Sequence, residues 1–223
     1  MVHLYLLYND RELPQEMFLS LLSLLPDKFH PKILNYRRWE DRQASLAGKL
    51  LLSIQLLARD KSGTLLSSFT VDEYKRPYLT GGEIDFNISH TKGLVACAVS
   101  PTERVGVDVE KLNQVDLTDF SRVFTEEENI FLSSSDDSTD LFFDLWTRKE
   151  SVMKADGRGF FLDPSSFSGL RSPIAIAQDK WYVKRLDLEE GWVGYLAAKR
   201  EIQVKELVYT FEDLLDMHSW LRE

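Results

Sequence analysis

Val105-Gly-Val-Asp-Val-Glu110 alternates without a break between valine and a second set made of one glycine and two acids. Successive side chains in a strand point to opposite faces, so Val105, Val107 and Val109 share one side while Gly106, Asp108 and Glu110 share the other. Two residues along a strand is about 6.6 Å, a spacing at which two carboxylates can share one hard cation directly or through water. Gly106 has no side chain, so something can approach closely beside Asp108. Alone, Gly-x-Asp-x-Glu suits a strand with one solvated polar face equally well. Its meaning depends on what surrounds it.

Strand-like runs precede and follow it. Val2 to Tyr8, Phe69 to Tyr74, Asp85 to Ser89, Leu94 to Ser100 and Arg104 to Lys111 are rich in β-formers, and Trp181 to Leu188 with Gly191 to Arg200 reads as a hairpin. Leu207 to Phe211 reads as one more strand. Helical spacing marks Leu13 to Leu25, which Pro26 stops, and Glu40 to Asp60, with Leu46, Leu50, Ile54 and Leu57 on one stripe. Asp119 to Leu132, Leu141 to Ala155 and Asp213 to Leu221 also read as helices, with loops at Lys61 to Thr64 and Ser133 to Asp140. Hairpins without βαβ alternation predict an α+β fold. Each half sets a long helix before a group of strands, which suggests two similar halves, 1–103 and 104–223, although no residue-level repeat is visible.

The second informative motif is Trp146-Thr-Arg-Lys-Glu-Ser-Val-Met-Lys154. Trp146, Glu150 and Lys154 recur at i, i+4 and i+8 and so share one helical stripe. Glu150 can add a third carboxylate to a cation held by Asp108, and Lys154 can bind a phosphate beside it. A set of carboxylates with one lysine suits magnesium on a pyrophosphate, because magnesium fills its shell with phosphate oxygens and water. The same Glu and Lys would also serve as an ordinary exposed helix pair.

Three further groups carry polar chemistry. Phe86-Asn-Ile-Ser-His90 is a strand ending in two polar residues; Ser89 and His90 can hydrogen-bond a phosphate or merely cap a turn. Arg76-Pro77 sets a basic group beside a rigid bend, and Lys28, Lys32, Arg37, Arg38 and Arg42 form a basic stretch. Thr125-Glu-Glu-Glu128 has capping-box spacing, with Thr125 as N-cap and Glu128 three residues on.

Composition narrows the setting. The 223 residues are 43% hydrophobic and 28% charged, ordinary for a folded globular protein, and no apolar run reaches the roughly 18 residues of a membrane span. The first residues lack the basic leader and apolar run of a secretory signal. Cys97 is the only cysteine, which excludes an intramolecular disulfide. These features predict a cytoplasmic protein without membrane partners. The net charge of −9 argues against nucleic acid and requires any anionic ligand to find a local basic cluster.

Together, Arg76-Pro77, Phe86-Asn-Ile-Ser-His90, Gly106-Val-Asp-Val-Glu110 and Trp146-Thr-Arg-Lys-Glu-Ser-Val-Met-Lys154 resemble the 4′-phosphopantetheinyl transferase superfamily, in its surfactin-synthetase-type branch. The resemblance runs from the opening strand to about Phe161 and implies a chain with two pseudo-symmetric halves, working as a monomer. It implies transfer of 4′-phosphopantetheine from coenzyme A to a serine of an apo-carrier protein, with release of 3′,5′-ADP. Asp108, Glu110 and Glu150 would hold magnesium, or manganese, on the pyrophosphate. Ser89, His90 and Lys154 would bind coenzyme A phosphates, Arg76 would lie beside the adenine and 3′-phosphate, and Lys28 and Lys32 would touch the nucleotide end. Glu128 matches the position proposed as general base for the carrier serine, with Glu150 through water as the alternative. Where many relatives carry Asp-x-x-Arg at the long helix, this chain has Asp41-Arg-Gln-Ala44, with Arg38, Arg42 and Lys49 as nearby cations. Two other activities fit the same residues: a magnesium phosphohydrolase, and a coenzyme A-binding protein without turnover.

Overall fold

The computed structural model describes residues 1–59, 65–81, 84–120, 122–134, 138–201 and 203–222. In chain order the regular elements are β1 (Val2–Tyr8), α1 (Gln15–Ser23), α2 (His30–Leu34), α3 (Trp39–Arg59), β2 (Phe69–Val71), β3 (Pro77–Leu79), β4 (Asp85–Thr91), β5 (Leu94–Ser100) and β6 (Val105–Lys111). They continue as α4 (Glu126–Ser133), α5 (Ser138–Asp156), β7 (Ile174–Ile176), β8 (Asp179–Arg185), β9 (Trp192–Ala198), β10 (Val204–Tyr209) and α6 (Phe211–Arg222). The fold is α+β, as the hairpin pattern predicts.

Two four-stranded sheets organise it, ordered β10-β1-β5-β4 and β6-β9-β8-β7. All pairings in them are antiparallel except β1 with β10, where Val2 to Leu7 run parallel to Val204 to Tyr209. The last strand therefore returns to the sheet of the first, although it lies within 104–223. Both faces of β1 are buried. Leu4 and Leu6 meet Val105, Val107, Val109 and Leu196 of the second sheet, while Tyr5 and Leu7 face Leu46, Leu50 and Leu51 of α3. On the far side of the second sheet, Val152, Met153 and Ala155 of α5 pack on Ala197 and Trp181. The layers are helix, sheet, sheet, helix. Each buried Leu or Val here contributes about 1.5–3 kcal/mol of transfer free energy.

Some boundaries differ from the periodicity. The predicted helix Asp119 to Leu132 is broken: Leu117–Phe120 is a 3-10 turn and α4 begins only at Glu126. The cause is local. Thr125 is extended (φ −65°, ψ 165°) and its side chain accepts from the Glu128 amide, so the capping box sets the start. The short elements α2, β3 and β7 carry too few residues for a period to emerge. The expected loop Lys61 to Thr64 lies outside the described residues, as do 135–137 of the expected loop Ser133 to Asp140, whose last residues already belong to α5. Among the described residues no helix is long and apolar enough to cross a membrane.

Candidate active site

The site forms where β4, β6 and α5 meet. Strand β6 has β9 on one side only. On its other side lies β4, joined through side chains instead of backbone. Asp85, Asn87, Ser89 and Thr91 accept the amides of Val105, Val107, Val109 and Lys111 at 2.8, 3.0, 3.4 and 3.2 Å. Every second residue of β4 thus satisfies every second amide of β6, groups whose burial without a partner would be costly. The pairing brings Ser89 beside Asp108.

Helix α5 reaches the same strands because Gly106 leaves room. A Cβ there would stand 2.1 Å from the Ser151 carbonyl oxygen and 2.3 Å from the Ala155 nitrogen. The close approach inferred from the glycine is made by a helix backbone, and it delivers the half-buried Glu150 and Lys154 to the carboxylate strand.

Asp108, Ser89 and Lys154 close a triangle. Lys154 Nζ donates to Asp108 Oδ1 at 2.6 Å and to Ser89 Oγ at 2.9 Å, and Ser89 Oγ donates to Asp108 Oδ1 at 2.9 Å. Asp108 is 3% exposed, and its second oxygen, Oδ2, is buried without a hydrogen-bond partner. Glu110 accepts from Thr91 Oγ1 at 3.3 Å. Burial, with Asp108 next, pushes the Glu110 carboxyl up to about 7. Burial also raises Glu150 to about 7, against the pull of Lys154 and with Asp108 adding to the rise. Burial works against the Lys154 ammonium, but Asp108, Glu150 and Glu110 outweigh it and the Lys154 pKa is raised. His90 is held below the ordinary imidazole value by desolvation and then by Lys154.

The 4′-phosphopantetheinyl transferase superfamily model matches residues 104–193, which include β6 and α5. The 4′-phosphopantetheinyl transferase gsp of Aneurinibacillus migulanus is 32% identical over 172 residues, covering 75% of this chain and 70% of its own. This chain belongs to the 4′-phosphopantetheinyl transferase superfamily. The 4′-phosphopantetheinyl transferase Sfp of Bacillus subtilis (strain 168) is 26% identical over 223 residues, covering 95% of this chain and 99% of its own, and ffp of Bacillus subtilis is 30% identical over 168 residues, with 74% and 75% covered. The chain is a transferase of the surfactin-synthetase-type branch, as its motifs suggested.

In this phosphopantetheinyl transferase the remaining candidate residues lie in three settings. Arg76 is 7% exposed: its guanidinium forms a bidentate pair with Asp85 at 2.9 and 2.7 Å and donates to the carbonyls of Val105 and Lys154 at 3.0 and 3.1 Å. It ties β4, β6 and the end of α5 together. Lys28 donates to the Ser67 and Phe69 carbonyls, and Lys32 is exposed on α2. Near the departure at Ala44, Arg42 faces Glu12 at 3.8 Å and Arg38 pairs with Glu40 at 3.1 Å. Lys49 donates to the Ser45 carbonyl and hydroxyl, and burial, with Lys32 next, lowers its pKa to about 8.

Glu128 stands apart from the triangle. It and Lys149 are both 0% exposed. Glu128 Oε2 accepts from the Thr125 amide at 2.7 Å and from Lys149 Nζ at 2.5 Å, and Oε1 accepts from the Gly169 amide at 2.6 Å. Both parts of the capping box are present. Thr91 escaped notice in the sequence. The alternation of Asp85, Asn87, Ser89 and Thr91 could have signalled that one polar face of β4 serves a neighbour.

Proposed function

We propose that this transferase moves 4′-phosphopantetheine from coenzyme A to a serine hydroxyl of an apo-carrier protein, releasing 3′,5′-ADP. The observation that carries this reading is the Ser89–Asp108–Lys154 triangle with Glu110 and Glu150 beside it.

The donor set fits a hard divalent cation. All nearby ligands are oxygens, and the orphaned Asp108 Oδ2 has its hydrogen-bonding capacity unspent. Among the described residues no three acidic, histidine or cysteine side chains are already gathered as a metal cage. Asp108, Glu110 and Glu150 would hold magnesium, or manganese. When bound, that ion offsets charge on the pyrophosphate and so stabilises the departing nucleotide.

The residues of the chain supply the rest. Lys154 keeps its ammonium charged among three carboxylates and neutralises a phosphate oxygen. Neutral His90 offers a donor to the pyrophosphate, while Ser89, whose proton goes to Asp108, holds Asp108 and Lys154 in register beside it. The serine oxygen of the carrier attacks the β-phosphorus, the bond from that phosphorus to 3′,5′-ADP breaks, and the serine proton passes through a water to Glu150. Glu128, with both oxygens held by Thr125, Gly169 and Lys149, serves as the keystone beneath α5 in this reading.

The test is intact-mass spectrometry of apo acyl, peptidyl and lysine-pathway carriers incubated with the protein, coenzyme A and magnesium. Addition of the arm to a carrier serine with 3′,5′-ADP release is expected. Inorganic phosphate released without carrier would favour a hydrolase, and tight coenzyme A binding without addition would favour a binding protein; either sinks the proposal.

A further inference from the structure

Two neighbouring rungs of the β4–β6 ladder are built alike. Ser89 Oγ donates to the Asp108 carboxylate and accepts the amide of the next residue, Val109. Two residues along, Thr91 Oγ1 donates to the Glu110 carboxylate at 3.3 Å and accepts the amide of the next residue, Lys111, at 3.2 Å. A hydroxyl has one proton and two lone pairs, so each spends its proton on a carboxylate while its oxygen is pinned by the strand backbone. The other two rungs, Asp85 and Asn87, also accept β6 amides but have no carboxylate of β6 beside them, because the residues before their partners Val105 and Val107 are Arg104 and Gly106.

From this repetition we infer that Thr91 is a positioning residue of the transfer site, acting on Glu110 as Ser89 acts on Asp108. The inference rests on the reading of Glu110 as a cation ligand. A glutamate has three rotatable side-chain bonds, and Glu110 is only half buried, so the backbone alone does not fix where its carboxylate lies. The Thr91 proton fixes one oxygen, Oε2. The amide of Lys111 fixes the Thr91 oxygen in turn, so the carboxylate is referred to the backbone of its own strand through a neighbouring strand. Hydrogen-bonding partners of metal-binding carboxylates typically govern 10–100-fold in metal affinity.

The experiment is a double-mutant cycle on the full chain, read by Mn2+ titration in the presence of coenzyme A using the paramagnetic signal of free Mn2+, alongside thermal melts. Thr91→Val keeps the shape and removes the proton. It is expected to weaken Mn2+ binding about 10–100-fold in the parent and by less than about twofold in Glu110→Gln, because its effect runs through that carboxylate. Thr91→Ser, which keeps the hydroxyl, is expected to stay within about threefold of the parent. If Thr91→Val does not fold, Thr91→Ala takes its place in the cycle. Unchanged Mn2+ affinity in the parent background would overturn the inference. So would an equal loss in both backgrounds, which would mark Thr91 as a strand spacer only. Failure of the parent protein to modify any carrier would instead overturn the proposed function, and the two results are read independently.

Discussion

Lys149 and Glu128 form an ion pair, Nζ to Oε2 2.5 Å, in which neither side chain has any solvent exposure. Lys149 also donates to the Phe167 carbonyl at 2.8 Å, so the pair fastens α5 to α4 and to the segment after it. The next residue of α5 is Glu150. One helix therefore spends Lys149 on anchorage and Glu150 on the site.

This pair decides what Glu128→Gln should do. Glutamine can keep the capping box but cannot neutralise Lys149. Losing one partner of a buried pair costs about 3–5 kcal/mol. Denaturant melts should show that loss, and the double variant Glu128→Gln, Lys149→Met should recover most of it. Unchanged stability with turnover reduced about 10²–10⁴-fold would instead assign Glu128 the base role.

Gly106→Ala should separate the helix from the strand. Its Cβ would clash with backbone atoms of Ser151 and Ala155, neither of which can rotate away. Overpacking of this kind costs about 1–3 kcal/mol or more. The folded fraction should transfer poorly as well, because α5 carries both Glu150 and Lys154. Parent-like melting and activity in Gly106→Ala would contradict the close approach.

Asp108→Asn should lose at least about 10²-fold in transfer, since it removes charge where positioning and neutralisation act. Coenzyme A with magnesium should raise the melting temperature of the parent and barely move that of the variant. Without ligand, the variant should melt slightly below the parent, because Lys154 loses its 2.6 Å ionic partner. Wild-type turnover would remove Asp108 from the site.

Glu110 and Glu150 make the ligand-free protein sensitive to pH. Both are raised from 4.5 to about 7. Below 4.5 each is protonated in folded and unfolded chains alike. Between 4.5 and about 7 the folded chain retains protons that the unfolded chain has released, so stability falls as pH rises. Above 7 the loss is complete and stays constant. Melting temperature measured without metal or coenzyme A should decline across this window, and Glu150→Gln should flatten the decline. A rise over the same range would contradict the raised values.

How the site was legible depended on the range of each signal. Asp108 and Glu110 were visible because a period of two places them on one strand face. Glu150 and Lys154 were visible because they are one helical turn apart. The fate of Arg76 was not visible. Its partners Asp85, Val105 and Lys154 come from three elements, and nothing local shows that an arginine will be held by residues so far apart in the chain.

The sequence by itself determined the α+β class, the alternation that turns Val105, Val107 and Val109 to the core, and the helix that carries Glu150. These follow from local stereochemistry and the burial of periodic apolar faces. Only the tertiary structure decided that β4 meets β6 through side chains, that β10 returns beside β1, and that Lys149 is buried against Glu128 while Lys154 turns to Asp108. Each of those relations joins residues far apart in the chain. Their energies come from desolvation and geometry at the contact, and neither exists until the layers close.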